Sequence, residues 1–232
     1  MNDGREIGIG FDFDHTLGVD NALERKAFYA FAEELGYRLD PHDGVWPTRI
    51  EELLTEFRAG EVTLEQMIAR FGDALAVRDA DPERWRALCY ALVDPLVRPI
   101  DGARELLDGL RARGIPLAIL TNGWSPLQQK KIERALGPGA VEEILVSDRI
   151  GAVKPAPAAF VALVDALGVP AERAWYVGDN ARGDIGGALA AGLRAVWFDW
   201  EGQTYPPDLP PPTLRIGALR ELETLAQNTI AP

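Results

Sequence analysis

The sequence predicts an α/β fold in which a doubly wound parallel sheet carries an inserted, all-helical bundle. Short apolar runs alternate with helical patterns along most of the chain, and polar residues directly follow several of the runs. Alternating strands and helices form parallel sheets with helices on both faces. One connection, however, is much longer than the roughly 2 to 6 residues that usually join a strand to the next helix. That connection predicts the inserted bundle.

The predicted strands are short apolar runs bounded by turn residues. The first, Ile7–Phe13, is spaced by glycine and ends in acidic residues, which favours a buried central strand. Thr213–Ile216 is predicted as an edge strand, followed by a closing helix that ends at Leu225. The other predicted strands are Pro116–Leu120, Glu143–Val146, Ala174–Val177 and Ala195–Phe198.

Helical patterns lie between these strands. Ser125 and Pro126 are expected to serve as the cap and the first residue of one helix. Gly192 is expected to end another. The predicted helices that alternate with the strands are Asp101–Arg113, Ser125–Leu136, Ala156–Leu167 and Arg182–Ala191.

The long connection runs from Gly18 to about Pro95 and contains no strand-like run. Thr63 and Gln66 have the spacing of a capping box, which marks a helix start. We therefore predict a core domain of residues 1–17 and 96–232 and a helical cap domain of residues 18–95. Open α/β sheets bind ligands at the carboxyl ends of their strands, and this insertion begins just after the carboxyl end of the first strand. We therefore expect the insertion to act as a lid. Its predicted helices are Asn21–Leu35, Arg49–Phe57, Thr63–Leu75 and Asp81–Leu92.

The composition excludes several classes of protein. The 24 basic and 36 acidic side chains give a formal net charge of −12, so we expect neither a nucleic acid polymer nor a membrane as partner. No apolar run approaches the roughly 18 to 20 residues that span a bilayer, and the N-terminal stretch lacks the features of a secretion signal. The single cysteine, Cys89, is typical of a buried helical residue. These features favour a cytoplasmic protein.

Two aspartates end the first predicted strand. Asp12 and Asp14 stand two residues apart in the run DFDHTL. A D-x-D-x-T match is a weak signal alone, because paired acids often cap a turn. Two carboxylates so close repel each other unless a cation or a shared proton relieves them. This arrangement suits a nucleophile beside a proton donor.

Further polar residues follow the next two strands. Thr121, Asn122 and Gly123 supply a hydroxyl, an amide and an open backbone, although on their own they are more typical of a turn. Lys154 comes after the third strand, where a lone lysine is usually solvated. Each residue thus has an ordinary structural explanation when it is taken singly.

The remaining acids complete a pattern. Asp179 follows the fourth strand, and Asp184 begins the next helix, where acids commonly act as caps. All these clusters fall at the carboxyl ends of parallel strands, which meet at one crevice. Asp12, Asp14, Asp179 and Asp184 together make a site too negative for a phosphate unless a divalent cation occupies it. Oxygen ligands without a cysteine or histidine pair suit Mg²⁺ better than Zn²⁺. The sequence therefore predicts a Mg²⁺ site at these four acids.

With these motifs the chain resembles the haloacid dehalogenase superfamily of hydrolases, whose core is Rossmann-like and whose helical cap follows the first motif. The resemblance covers nearly the whole chain. It implies that Asp12 is the nucleophile, that Asp14 is the general acid and base, and that Lys154 neutralises charge. It also implies that Asp179 and Asp184 bind the metal, the latter directly or through water.

The phosphate-binding part of the resemblance rests on the turn after the second strand. Thr121 matches the phosphate-binding hydroxyl, and Asn122 and Gly123 complete the predicted substrate-binding turn. The stretch from Thr121 to Gly151 looks most like the branch of pyrimidine 5′-nucleotidases and N-acylneuraminate-9-phosphatase. The resemblance thus implies a Mg²⁺-dependent phosphatase for a small-molecule phosphate monoester. It would work through an aspartyl-phosphate, as a monomer or homodimer.

Other activities stay open at this point. A phosphomutase of the same superfamily uses the same acids and a similar cap. A 2-haloacid dehalogenase is less favoured, because halide leaves without a proton and Asp14 would be superfluous. A non-catalytic module that binds phosphorylated ligands is also less favoured, because a pure binder gains nothing from a strained cluster of acids.

The implied substrates are nucleoside monophosphates and sugar phosphates. Three aromatic residues give a physical reason to rank nucleotides slightly ahead, since Trp124 follows the phosphate-binding turn while Trp46 and Tyr29 lie in the insertion. A base could stack among them, although packing within the cap explains Trp46 and Tyr29 equally well.

Overall fold

The computed structural model describes residues 7–223 of the chain. The chain divides into two compact units. One comprises the residues up to Val19 and from Arg98 onward, and the other is Asp20–Val97. That the second unit works as a cap remains a prediction.

The first unit contains a six-stranded parallel sheet in the order β5-β4-β1-β6-β7-β8. The chain starts in the middle of this sheet and winds outward to both edges, which is the doubly wound arrangement. This confirms the predicted α/β fold class. The strands of the described residues are β1 (Gly8–Phe11), β2 (Gly18–Val19), β3 (Arg98–Pro99), β4 (Leu117–Thr121), β5 (Glu143–Val146), β6 (Ala174–Gly178), β7 (Arg194–Phe198) and β8 (Leu214–Ile216).

The register of the central strands decides where the functional residues lie. Phe11 of β1 is level with Ile119 of β4 on one side and with Val177 of β6 on the other. All three strands are buried along their full length, as expected for apolar strands covered on both faces. Their carboxyl ends therefore lie side by side, and the residues that follow them share one edge of the sheet.

Helices pack against the sheet in the same unit. In the core of one face, Phe160 lies against Tyr176 of β6, with ring centroids 5.3 Å apart. Truncation of such a buried ring typically costs about 3 to 5 kcal/mol of stability. The α-helices that lie wholly within the described residues are α1 (Leu23–Glu34), α2 (Val45–Arg58), α3 (Leu64–Ala74), α4 (Pro82–Leu96), α5 (Ala103–Ala112), α6 (Leu127–Leu136), α7 (Ser147–Ile150), α8 (Pro157–Leu167) and α9 (Gly187–Ala190).

The unit Asp20–Val97 is a bundle of α1 to α4. Phe28 is fully buried in it, with its ring 4.7 Å from that of Phe71 and 5.1 Å from that of Trp85. Tilted aromatic pairs of this kind add to the stability that burial alone provides. Cys89 is buried in α4, as predicted.

The start of α3 confirms the predicted capping box. The backbone N–H of Gln66 donates to Thr63 Oγ1 at 3.3 Å, and the N–H of Thr63 donates to Gln66 Oε1 at 2.9 Å. Two of the N–H groups that a helix start leaves unpaired are thereby satisfied.

Two local predictions were wrong. Helix α6 begins at Leu127 and Ser125 does not cap it, because the N–H and hydroxyl of Ser125 donate to the Asp148 carboxylate at 2.8 and 3.1 Å. The ribbon formed by β2 and β3, in which Gly18 pairs with Pro99, was not predicted at all. Strands of two residues are too short to leave a periodic pattern in a sequence.

The last predicted elements are seen only in part. Strand β8 confirms the predicted edge strand. Residues 220–223 are helical, and the remainder of the closing helix predicted up to Leu225 lies outside the described residues. Between residues 7 and 223, no helix has both the length and the apolar character needed to cross a membrane.

Candidate active site

Three carboxylates meet at the carboxyl edge of the sheet. Asp12 follows β1, Asp179 follows β6, and Asp184 lies in the π-helical turn Ala181–Gly186 that comes next. One oxygen atom of each lies within 4.8 Å of the others. Asp12 and Asp184 are buried. Asp14 was also predicted to bind the metal, and its carboxylate is not part of this group of three.

Lys154 joins the acids of this cluster. Its Nζ atom lies 2.6 Å from Asp12 Oδ1 and 2.7 Å from Asp184 Oδ1, and it donates to Tyr176 Oη at 2.8 Å. The Tyr176 hydroxyl in turn donates to the carbonyl oxygen of Leu120 at 2.7 Å. Three buried acceptors therefore hold the lysine ammonium group, and two of them are carboxylates of the cluster.

Burial and crowding shift the ionisation of the cluster. Burial raises the pKa of Asp12 well above its ordinary value, against the opposing effect of Lys154, and Asp184 and Asp179 raise it further. Burial, followed by Asp184, raises the pKa of Asp179 to about 7. Burial would lower the pKa of Lys154, but its contacts with Asp12 and Asp184 outweigh burial and raise that pKa. The lysine thus stays charged, while Asp12 and Asp179 ionise with difficulty.

The cluster has the charge and the donors for a divalent cation. Its three carboxylates and one ammonium group leave an excess of two negative charges when all are ionised. Like charges this close need a cation to stay ionised together. The donors are oxygen atoms only, which is the ligand set of Mg²⁺ and similar hard cations. The residues present therefore fit a bound divalent metal ion.

Backbone geometry fixes Asp184. Gly178 ends β6, and a Cβ atom there would lie 2.4 to 2.5 Å from atoms of the Asp184 side chain. Asp184 Oδ2 accepts a hydrogen bond from the N–H of Asn180 at 3.0 Å. The Asn180 side chain caps the turn by accepting from the N–H groups of Arg182 and Gly183. Asp184 is therefore not the cap of this turn, and its carboxylate is left for the cluster.

The predicted substrate-binding residues form a fixed turn after β4. Gly123 has a φ of 144°, which favours glycine, and its N–H donates to Ser147 Oγ at 3.0 Å. The Asn122 side chain accepts from the N–H of Lys154 at 2.9 Å and donates to the carbonyl of Lys154 at 3.1 Å. Asn122 therefore braces the backbone of the lysine that contacts Asp12. Thr121 is buried at the start of the same turn.

Asp14 is held by two side chains of α6. Its Oδ1 atom lies 2.6 Å from Lys131 Nζ, and its Oδ2 atom accepts from Gln128 Nε2 at 2.8 Å. Gln128 Nε2 also lies 3.1 Å from Thr121 Oγ1. Lys131, Gln128 and Tyr176 were not among the residues predicted from the sequence. Because all three are buried polar residues inside regular elements, no turn or strand end marks them.

The aromatic residues proposed to stack on a base are placed differently. The Trp46 ring packs edge-on against Phe71 within the helical bundle, at 5.9 Å. Trp124 is buried, with 7% of its surface exposed. These placements favour structural packing over base stacking for both tryptophans, which removes two of the three aromatic residues that supported a preference for nucleotides.

Comparison with known proteins agrees with this geometry. Residues 8–192 match the family model of haloacid dehalogenase-like hydrolases. The chain belongs to this family. A phosphoserine phosphatase of Thermus thermophilus is 34% identical over 225 residues, which cover 94% of this chain and 87% of that protein. The pyrimidine 5′-nucleotidase YjjG of Escherichia coli is 29% identical over 175 residues, 75% of this chain and 77% of that protein.

A solved structure of the same family shares the fold. The haloacid dehalogenase-like hydrolase YfnB of Bacillus subtilis, solved with bound magnesium, has a TM-score of 0.76 and 25% identity over 95% of this chain and 98% of that one. The predicted family is therefore confirmed. This haloacid dehalogenase-like protein is a hydrolase that acts on phosphate monoesters.

Proposed function

We propose that this hydrolase is a Mg²⁺-dependent phosphatase for a small-molecule phosphate ester and that it works through an aspartyl-phosphate on Asp12. The observation that carries the proposal is the buried contact of Asp12 with Lys154 at 2.6 Å, beside Asp179 and Asp184. A carboxylate placed next to a fixed ammonium group and a cation site can approach a negatively charged phosphoryl group.

The first half of the reaction transfers the phosphoryl group to the protein. A carboxylate oxygen of Asp12 forms a bond to phosphorus while the bond from phosphorus to the ester oxygen breaks. Lys154 and the Thr121 hydroxyl stabilise the charge on the phosphoryl oxygens. Asp14 gives a proton to the departing alkoxide, so that a neutral alcohol leaves.

The second half returns Asp12 to its starting state. Asp14, now ionised, accepts a proton from a water molecule that attacks phosphorus, and the bond between phosphorus and the Asp12 oxygen breaks. Inorganic phosphate leaves. Splitting one displacement into two easier steps is the general advantage of nucleophilic catalysis.

Asp12, Asp179 and Asp184 would hold the metal ion. When bound, Mg²⁺ supplies positive charge that offsets the acids and the phosphate oxygens. Support for this ion comes from the oxygen-only donors, the excess of two negative charges and the magnesium in the YfnB structure.

The substrate class is narrowed by the relatives. Phosphoserine phosphatase and pyrimidine 5′-nucleotidase act on small phosphate monoesters of different kinds, so their common feature is the phosphoryl group. We propose a small phosphorylated metabolite and no nucleic acid polymer. Phosphoserine, nucleoside monophosphates and sugar phosphates form the first panel to test, with release of inorganic phosphate in the presence of Mg²⁺ as the measurement.

Metal binding at this cluster gives a direct test. Saturating Mg²⁺ at about 100 times its Kd stabilises a protein by about 2.7 kcal/mol, which corresponds to roughly 5 to 10 °C in Tm for a chain of this size. We expect this Tm shift for the parent protein. We expect Asp184→Asn to lose both the Tm shift and the release of phosphate. EDTA should abolish phosphate release by the parent protein, and Mg²⁺ should restore it.

The control for this prediction is Asp165→Asn, the same substitution at an exposed position of α8. It should keep both the Tm shift and the activity. An unchanged Mg²⁺ shift in Asp184→Asn would place the metal elsewhere, and full activity in EDTA would exclude a metal-dependent reaction.

A further inference from the structure

We propose that Gln128 and Lys131 of α6 are positioning residues that hold the Asp14 carboxylate beside Thr121. This inference rests on the proposed phosphatase reaction and concerns residues to which that reaction assigned no role. Asp14 Oδ1 forms an ion pair with Lys131 Nζ at 2.6 Å, and Asp14 Oδ2 accepts a hydrogen bond from Gln128 Nε2 at 2.8 Å. A carboxylate held at both oxygens has a defined orientation.

The donors themselves are held rigidly. Gln128 and Lys131 are each 3% exposed and lie three residues apart, on one face of α6. Lys131 Nζ also lies 5.7 Å from the centroid of the Phe13 ring, directly before Asp14 in the chain. Side chains buried on a helix lose most of their rotamer freedom, so the position of α6 fixes that of the Asp14 carboxylate.

Gln128 links the two halves of the site. Its Nε2 atom faces three acceptors, namely Asp14 Oδ2, Thr121 Oγ1 at 3.1 Å and the carbonyl oxygen of Asn122 at 2.9 Å. If the Gln128 amide were reversed, its oxygen atom would face the Asp14 carboxylate and the Asn122 carbonyl oxygen, and these oxygens would repel each other. The amide therefore has one favourable orientation. A Cβ atom at residue 123 would lie only 2.8 Å from Gln128 Nε2, so the Gln128 side chain needs the glycine that is present there, Gly123. One amide thus joins the proposed proton donor to the proposed phosphate-binding turn.

The proposal predicts a loss that depends on the leaving group. Phenolate depends on protonation by an acid more strongly than p-nitrophenolate does when it leaves. Displacement of Asp14 should therefore slow the hydrolysis of phenyl phosphate more than that of p-nitrophenyl phosphate. A correctly placed acid is worth about 10² to 10⁴-fold in rate. A purely structural role for Gln128 would lower both activities by the same factor.

The experiment measures kcat/KM for both esters with Mg²⁺ in the parent protein, Gln128→Met, Lys131→Met and Asp14→Asn. We expect each α6 variant to lose at least about 10-fold more activity on phenyl phosphate than on p-nitrophenyl phosphate, and Asp14→Asn to show the largest such difference. When Asp14 is already Asn, adding Gln128→Met should change the ratio of the two activities by less than about 2-fold.

The matched control is Gln129→Met, the neighbouring residue on α6, whose Nε2 donates to Ser125 Oγ at 2.9 Å rather than to Asp14. Its ratio of activities should equal that of the parent protein. The ratio does not depend on how much of a preparation is folded, because an inactive fraction lowers both activities equally. Lys131→Met repeats the test if Gln128→Met does not fold.

Two results would overturn the proposal while the proposed function stands. One is an equal loss on both esters in Gln128→Met and Lys131→Met. The other is the same selective loss when Asp14 is already Asn. By contrast, a parent protein that releases no phosphate from either ester would refute the proposed function and this inference with it.

Discussion

Asp12→Asn should lower kcat/KM for every phosphate ester by at least about 10⁴-fold. The other catalytic residues act together with the nucleophile, so its removal also removes nearly all of the rate enhancement that they provide. The amide has the same shape as the carboxylate but does not attack phosphorus. Phosphate release from p-nitrophenyl phosphate, measured on protein free of contaminating phosphatase, gives the result. Asp12→Ala serves as a second variant of the same position.

The stability of Asp12→Asn separates loss of chemistry from loss of fold. Burial raises the pKa of Asp12, and an acid whose pKa is raised on folding destabilises the folded state as the pH rises above its unfolded pKa. Neutral asparagine removes this penalty, while Lys154 keeps its contact with Asp184 at 2.7 Å. We therefore expect no fall in Tm at pH 8 without metal. A variant with the Tm and the activity of the parent would show that Asp12 is not the nucleophile.

Lys154→Met should destabilise the protein and remove most of its activity. The ammonium group is buried between Asp12 and Asp184, and removing one partner of a buried ion pair typically costs about 3 to 5 kcal/mol. The substitution also removes a positive charge from the place where the phosphoryl group is proposed to bind. Loss of one group that stabilises charge in a transition state typically lowers kcat by about 10² to 10³-fold. Urea unfolding and phosphate release measure the two effects separately.

The loss of stability in Lys154→Met should depend on pH. Burial raises the pKa of Asp12 and that of Asp179, the latter to about 7, so Asp179 changes from protonated to ionised between pH 5 and pH 8. In EDTA the destabilisation should be larger at pH 8 than at pH 5, because the missing ammonium group matters only when the acids are charged. Lys26→Met, at an exposed position of α1, is the control and should change neither stability nor activity. Equal destabilisation at both pH values would contradict the assigned charges.

Much of this site was predictable because its residues directly follow strands. Asp12, Thr121 and Asp179 each stand at a strand end, and parallel strands bring their carboxyl ends to one edge. Lys154 comes after β5 and α7, and the loop that carries it brings its Nζ atom to Asp12 and Asp184. The family resemblance supplied their roles, which strand positions alone do not give.

The residues that support the site were harder to find. The α6 sequence LQQKKIERAL contains adjacent amides and lysines, which are typical of a solvated helix face. Its signal is the spacing, because Gln128 and Lys131 fall on the stripe defined by buried Leu127, Ile132 and Ala135. Polar residues on an apolar stripe need buried partners, and the partners here come from distant parts of the chain. Sequence reasoning that treats each helix separately does not find such pairs.

The central claim is that the phosphoryl group passes through Asp12, and its most direct test is chemical identification of the phosphorylated residue. Asp14→Asn should retain phosphorylation by p-nitrophenyl phosphate, whose leaving group needs little protonation, and should slow the attack of water. We therefore expect the intermediate to accumulate in this variant. Acid quenching, borohydride reduction of the acyl phosphate and peptide mass spectrometry should then show homoserine at Asp12 and at no other aspartate. Homoserine at a different aspartate, or phosphate release at the parent rate with no reduced residue, would contradict the account.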